Sequence, residues 1–156
     1  MPNWCMNNLD ISHDNEMVVK NMIARLEAME QDDYGDYNGL LRCLDPRYEY
    51  REACYVDWTE TDDGISISFS TAWEPPIEVY EELENQEWQV NASFYEPGLD
   101  FAGWFDEGGE CRVNNLSEKD DDWFEEDPVG KIIQDQWDIL ADRESWLDEE
   151  DQTEYE

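Results

Sequence analysis

CYVDWTETDDGISISFS, residues 54–70, holds two extended segments around a tight turn. CYVDWT at 54–59 suits a strand, and Asp62-Asp63-Gly64 supplies the reversal. Ile65, Ile67 and Phe69 then alternate with serines, the period of a strand with one apolar face. Upstream of this hairpin, Val19, Met22, Ile23, Leu26 and Met29 recur at helical spacing, so a helix is expected over about 15–30. Ser12, Asp14 and Asn15 are its cap candidates. WCMNNLDIS at 4–12 precedes it as a short strand. Downstream, Trp73-Glu74-Pro75-Pro76 leads into a second helix with Val79, Tyr80 and Leu83 on the buried side. Trp88, Val90, Ala92 and Phe94 then alternate with Gln89, Asn91, Ser93 and Tyr95, a half-buried strand.

The resulting order is β-α-β-β-α-β, the ferredoxin-like arrangement of the α+β class. Segments 101–106 and 110–114 flank Gly108-Gly109 and add a β-hairpin. Residues 31–39 (QDDYGDYNG) are turn chemistry, and 40–53 are ambiguous, with Asp45-Pro46 marking a turn. Residues 1–116 are therefore expected to form a ferredoxin-like domain, and 117–156 an acidic C-terminal segment. In that segment SEKDDDWFEED at 117–127 is a low-complexity stretch around Trp123 and Phe124. Asp127-Pro128 reads as cap and first helical residue of an acidic C-terminal helix over 128–147. Its apolar side would be Val129, Ile132, Ile133, Trp137 and Leu140, and the tail from 148 should fray.

The charge bounds the function. The chain has 156 residues with 43 Asp and Glu against 9 Lys and Arg, a formal net charge of −34. A folded chain of this length is roughly 40 Å across, and 40 Å of duplex DNA carries about 24 charges. The protein thus matches DNA in charge per unit length. Disordered acidic chains are poor in aromatics, whereas this one has 8 Trp, 8 Tyr and 5 Phe, enough for a core. Solubility alone calls for a net charge of only about 2–8. Direct binding to nucleic acid or to an anionic membrane is excluded by repulsion, which leaves basic proteins or cations as partners.

Other chemistries have little support. The four cysteines, at 5, 43, 54 and 111, form no C-x-x-C pair. QDDYGDYNG fails the EF-hand spacing, and Asp120-Asp121-Asp122 would attract divalent ions only as counterions. The one histidine, His13, lies in a predicted turn. Cys5, beside Trp4 in a strand, suits a buried thiol. No G-x-S-x-G or Gly-rich phosphate loop occurs, so neither enzymatic activity nor a cofactor is expected. The opening MPNWCMNNLD lacks a basic n-region and an apolar run, giving the expectation of a cytoplasmic chain with reduced cysteines.

Three motifs add a resemblance. MPNWC-x-N at the start, FSTAWEPP at 69–76 and YEPGLDFAG at 95–103 resemble a phage and plasmid protein family with a YubB-type ferredoxin-like domain. The resemblance covers roughly residues 1–116 and implies that fold and a mobile-element origin. It carries no catalytic residues. It implies architectural roles for Trp4, Asn7, Trp73, Pro75, Pro76, Tyr95, Pro97, Gly98, Phe101 and Gly103, with the aromatics in the core.

The functional expectation is an acidic DNA-mimic inhibitor. It would occupy the basic groove of a host DNA-binding protein or nucleoprotein complex, such as a restriction or CRISPR effector. Carboxylates would replace phosphates at Asp120, Asp121, Asp122, Glu125, Glu126 and Asp127, at Glu78, Glu81, Glu82 and Glu84, and at Asp32, Asp33 and Asp36, with Trp123 able to fill a base-stacking pocket. A homodimer, the commonest symmetric assembly, would lengthen that surface. The alternative is a salt-adapted or otherwise acidic protein-interaction scaffold without mimicry.

Overall fold

A computed structural model of the chain describes residues 3–30, 40–46 and 53–144. The chain divides into two compact units, residues 1–113 and 114–156. The turn expected at 31–39 and the tail from 148 lie outside the described residues.

The first unit is mixed α+β. Its strands are β1 (Trp4–Ser12), β2 (Ala53–Glu60), β3 (Gly64–Ala72), β4 (Gln89–Glu96), β5 (Phe101–Asp106) and β6 (Gly109–Asn114), whose last residue opens the second unit. Its helices are α1 (Glu16–Glu30), α2 (Leu40–Leu44) and α3 (Ile77–Asn85). The strands form one antiparallel sheet in the order β2-β3-β1-β4-β5-β6. α2 falls in the stretch that periodicity left open, because five residues are too few to show a helical period.

Register fixes the faces. Leu9 pairs with Ile67 and Ala92, and Ile11 with Ile65 and Val90, so these apolar residues share one face. Val19, Met22 and Leu26 of α1, Val79, Tyr80 and Leu83 of α3, and Leu40, Leu41 and Leu44 of α2 are buried in the same core. Each such side chain contributes about 1.5–3 kcal/mol on full burial. On the opposite face Asn8, Asp10, Asp57, Ser68, Gln89 and Asn91 are exposed. The strict alternation expected of β4 fails at its end, where Phe94, Tyr95 and Glu96 are all buried.

Local chemistry sets the helix starts. The Asn15 side chain accepts from the Met17 N–H at 3.0 Å, selecting one of the three cap candidates of α1. The prolines stand just before α3, and the Pro76 carbonyl accepts from Val79 and Tyr80. β2 carries a bulge between Cys54 and Asp57, with Tyr55 at φ 54°.

The second unit is helical. A 3-10 turn (Leu116–Glu118) leads to α4 (Asp121–Glu126) and α5 (Pro128–Trp137). The stretch read as low-complexity is therefore ordered around Phe124, which is buried. Gly130 lets the two helices approach closely, since a Cβ there would lie 2.1 Å from the Trp123 carbonyl oxygen. The single helix expected over 128–147 is interrupted. Asp138 adopts the left-handed conformation at φ 50°, and residues 139–144 are helical again. The Gln134 side chain makes this break by donating to Asp138 at 2.7 Å and accepting from the Leu140 N–H at 3.1 Å. Asp tolerates that conformation better than most residues, and apolar periodicity runs through the break unchanged. Residues 145–147 lie outside the described residues.

Tyr80 is fully buried, packs its ring 5.6 Å from Phe105, and has no hydrogen-bond partner for its hydroxyl. An unsatisfied buried hydroxyl costs about 1–3 kcal/mol. Tyr80→Phe is therefore expected to raise unfolding free energy by about 1 kcal/mol in urea titration; a clear loss would contradict this accounting.

Candidate functional site

α3 presents one acidic surface. Burial of Val79, Tyr80 and Leu83 turns Glu78 and Glu81 fully outward and leaves Glu82 and Glu84 half-exposed. No Lys or Arg occurs in this helix. Like charges three or four residues apart destabilise a helix by about 0.2–0.5 kcal/mol per pair, so the spacing of Glu78, Glu81, Glu82 and Glu84 opposes folding. Glu82 offsets part of this by accepting from the side chains of Gln86 at 3.1 Å and Asn85 at 3.4 Å.

The acids of the second unit separate by task. Asp120 caps α4, accepting from the Trp123 N–H at 2.9 Å. Asp127 caps α5, accepting from Val129 at 2.9 Å and Gly130 at 3.3 Å. Asp121 pairs with Arg143 at 3.3 Å. Asp122, Glu125 and Glu126 are exposed. Trp123 is half-buried, edge-on to Phe124 at 4.9 Å, with the Lys119 ammonium 5.2 Å from its ring. Its ring is thus engaged within its own unit, whatever it also offers a partner. Asp32, Asp33 and Asp36 lie outside the described residues.

Several cations are committed locally. Arg112 stands 4.4 Å from the Phe101 ring and 5.5 Å from Phe94, and it pairs with Glu110 at 3.3 Å and Glu74 at 3.7 Å. Arg143 lies 4.7 Å from the Phe124 ring and donates to the Leu116 carbonyl. These positive charges neutralise acids beside them rather than facing solvent alone.

Residues read for other chemistry have structural surroundings. His13 accepts at Nδ1 from the Asn15 N–H at 2.9 Å, leaving Nε2 to donate to the Gln86 carbonyl at 3.1 Å. It also meets Trp88 edge-on at 5.2 Å, so it ties the β1–α1 turn to the α3–β4 turn. Cys5 is buried. Burial pushes up the thiols of Cys43, Cys54 and Cys111, and Asp106 and Glu110 add to the effect at Cys111. Among the described residues no group of His, Cys, Asp and Glu could hold a metal ion, and no helix is long and apolar enough to cross a membrane.

Two features escape periodicity. Glu96 is a buried acid, 1% exposed, whose carboxylate accepts from the Leu99 N–H. Burial raises its pKa, and the Leu99 bond partly opposes the rise. Trp4 and Trp73, expected in the core, are 40% and 47% exposed. Core positions on β1 and β3 include Leu9, Ile11, Ile65 and Ile67; Trp4 lies at the end of β1 on the opposite face from these, and Trp73 follows the end of β3. Comparison of the chain with protein-family models, curated sequences and solved structures returns no match in any of the three.

Two outcomes follow from these geometries. Asp127→Ala should cost about 1 kcal/mol through loss of the cap, whereas Glu125→Ala should leave the melting temperature unchanged; equal effects would dissolve the division of labour. A carboxyl raised in the folded state favours folding at low pH, and that contribution is lost as pH rises through the folded value. Glu96→Gln keeps an acceptor for Leu99 and removes the buried charge. The variant should be the more stable at pH 7, with the gap closing below about pH 4; a pH-independent difference in urea midpoints would contradict this.

Proposed function

We propose that this protein is a DNA-mimic inhibitor that occupies the basic DNA-binding groove of a host defence protein or nucleoprotein complex. The observation that carries the reading is the outward charge: Glu78 and Glu81 on α3 and Asp122, Glu125 and Glu126 on α4 face solvent, while Arg112 and Arg143 are paired locally. A net charge of −34 on an aromatic-rich folded chain destabilises the compact state by self-repulsion. Displacing DNA gives that cost a use, because the carboxylates can bind the lysines and arginines that otherwise hold phosphates.

The strand order β2-β3-β1-β4 supports a ferredoxin-like reading of the first unit, with β5 and β6 as the added hairpin. The motifs at 1–7, 69–76 and 95–103 are the support for a mobile-element origin, and in this reading the protein would act inside the host cytoplasm. In this reading the protein is not an enzyme and needs no cofactor, since its work is occupancy.

The test is competition. The protein is mixed at 50 mM salt with candidate host DNA-binding complexes carrying labelled duplex DNA to follow displacement, and its direct binding to the DNA-free target is measured between 50 and 200 mM salt. A mimic replacing 6–10 phosphate contacts should lose roughly 10³–10⁵ in affinity across that range. Combining Glu78→Gln, Glu81→Gln, Glu125→Gln and Glu126→Gln should flatten the salt dependence. Absence of displacement at low salt, or direct binding to the DNA-free target that is indifferent to salt, sinks the proposal.

A further inference from the structure

Trp4, Tyr55, Trp73 and Leu99 are 40%, 74%, 47% and 46% exposed, and the first unit brings all four to one end of its sheet. Trp4 opens β1 opposite Ala72, so Trp73 follows one residue beyond that pair. The Trp73 N–H donates to the Asn3 carbonyl at 2.8 Å. Tyr55 sits in the β2 bulge, with its ring edge-on to Trp4 at a centroid distance of 6.5 Å. Leu99 follows Gly98, whose backbone runs so close to Asn3 that a Cβ would lie 2.7 Å from the Asn3 Cγ. β1, the β2 bulge, the end of β3 and the turn after β4 thus converge around Asn3 and Trp4.

Two of these residues hold backbone conformations that bulky side chains rarely adopt. Tyr55 has φ 54° and Trp73 has φ 70°. Such strain persists where surrounding structure enforces it, and it gathers at binding sites. Here it holds large rings at the surface, although the same chain buries Tyr80, Tyr95, Phe94 and Phe105.

The chemistry of the rim selects the occupant. Asp57, Glu74 and Asp100 lie within two residues of the exposed side chains, and the whole chain carries −34. Faces of Trp and Tyr attract guanidinium groups. The neighbouring Arg112 shows that combination already made, with its guanidinium 4.4 Å from the Phe101 ring and 3.7 Å from Glu74. A second copy is a poor occupant. The three rings leave roughly 300 Å² exposed, taking about 200 Å² for a full aromatic side chain, whereas a standard interface needs about 800 Å² per partner. Two copies would also repel. As the centre of a larger interface the size is suitable, since binding energy concentrates in small Trp-, Tyr- and Arg-rich patches.

We propose that this aromatic tip is a docking site for arginine side chains of a basic protein partner. The proposal rests on the reading of the partner as basic, and it adds a site where specificity comes from ring–guanidinium contact rather than charge alone. The probes are deca-arginine and deca-lysine peptides of equal charge, with binding followed by tryptophan fluorescence and calorimetry.

Deca-arginine should bind about 5–10-fold tighter than deca-lysine, in line with the modest strength of a cation–ring contact. Combining Trp4→Ala, Tyr55→Ala and Trp73→Ala should erase that preference and leave deca-lysine affinity unchanged. Tyr55→Asn guards against misfolding, because Asn tolerates positive φ; this variant should melt no lower than the parent and still lose part of the preference. Equal affinity for the two peptides, or a preference that survives the triple variant, overturns the proposal. So does concentration-dependent dimerisation that the triple variant abolishes. A preserved arginine preference in a protein that fails to displace DNA would leave the tip standing and remove the mimic reading. DNA displacement with no arginine preference would do the reverse.

Discussion

β1 is hydrogen-bonded along both edges, to β3 on one side and β4 on the other, and the phase of that one strand sets the phase of the sheet. Leu9 and Ile11 can be buried only if Ile65, Ile67, Val90 and Ala92 turn the same way. A one-residue slip would carry Asp10 into the interior and Leu9 into water. In a chain with 43 acidic residues, correct phase is what keeps carboxylates out of the core. The composition of the open face helps. Asp10 lies between Ser66 and Asn91, neutral neighbours that hydrate well and add no repulsion.

β3 was legible because it alternates cleanly: Ile65, Ile67 and Phe69 against serines leave no competing helical period. α1 and α3 were legible for the same reason at a different spacing. What escaped was governed by contacts rather than by period. The interruption at Asp138 depends on one glutamine side chain reaching both sides of the break, and α2 is shorter than any window that could reveal it. The acidic residues of α3 were read as an outward face, and burial of Val79, Tyr80 and Leu83 puts Glu78 and Glu81 there. In the second unit Asp127 was legible as a cap from the proline that follows it, whereas Asp120 was not separated from Asp121 and Asp122, because it differs from them only in its place relative to a helix start. Trp4 and Trp73 misled for a simpler reason: aromatic identity suggests a core, and only register and exposure show which rings are outside it.

Charge and aromaticity are coupled in this protein. Arg112 lies over Phe94 and Phe101, Arg143 over Phe124, and Lys119 over Trp123. A cation held beside a carboxylate cancels that carboxylate, so the remaining acids are left in patches unbroken by positive charge. These three positive charges thereby serve internal order. The many negative ones define how the molecule looks from a distance.

The edges of the sheet bear on self-association. An exposed strand edge is a template for pairing with another chain, and long flat edges polymerise. β2, at one edge, is kinked by the bulge between Cys54 and Asp57 and carries Asp57 and Glu60. β6, at the other, is six residues long and carries Glu110 and Arg112. Both edges are thus poor templates for cross-chain sheet growth. Growth of the sheet from copy to copy is therefore disfavoured at either end, so raising the protein's concentration does not by itself lengthen the sheet.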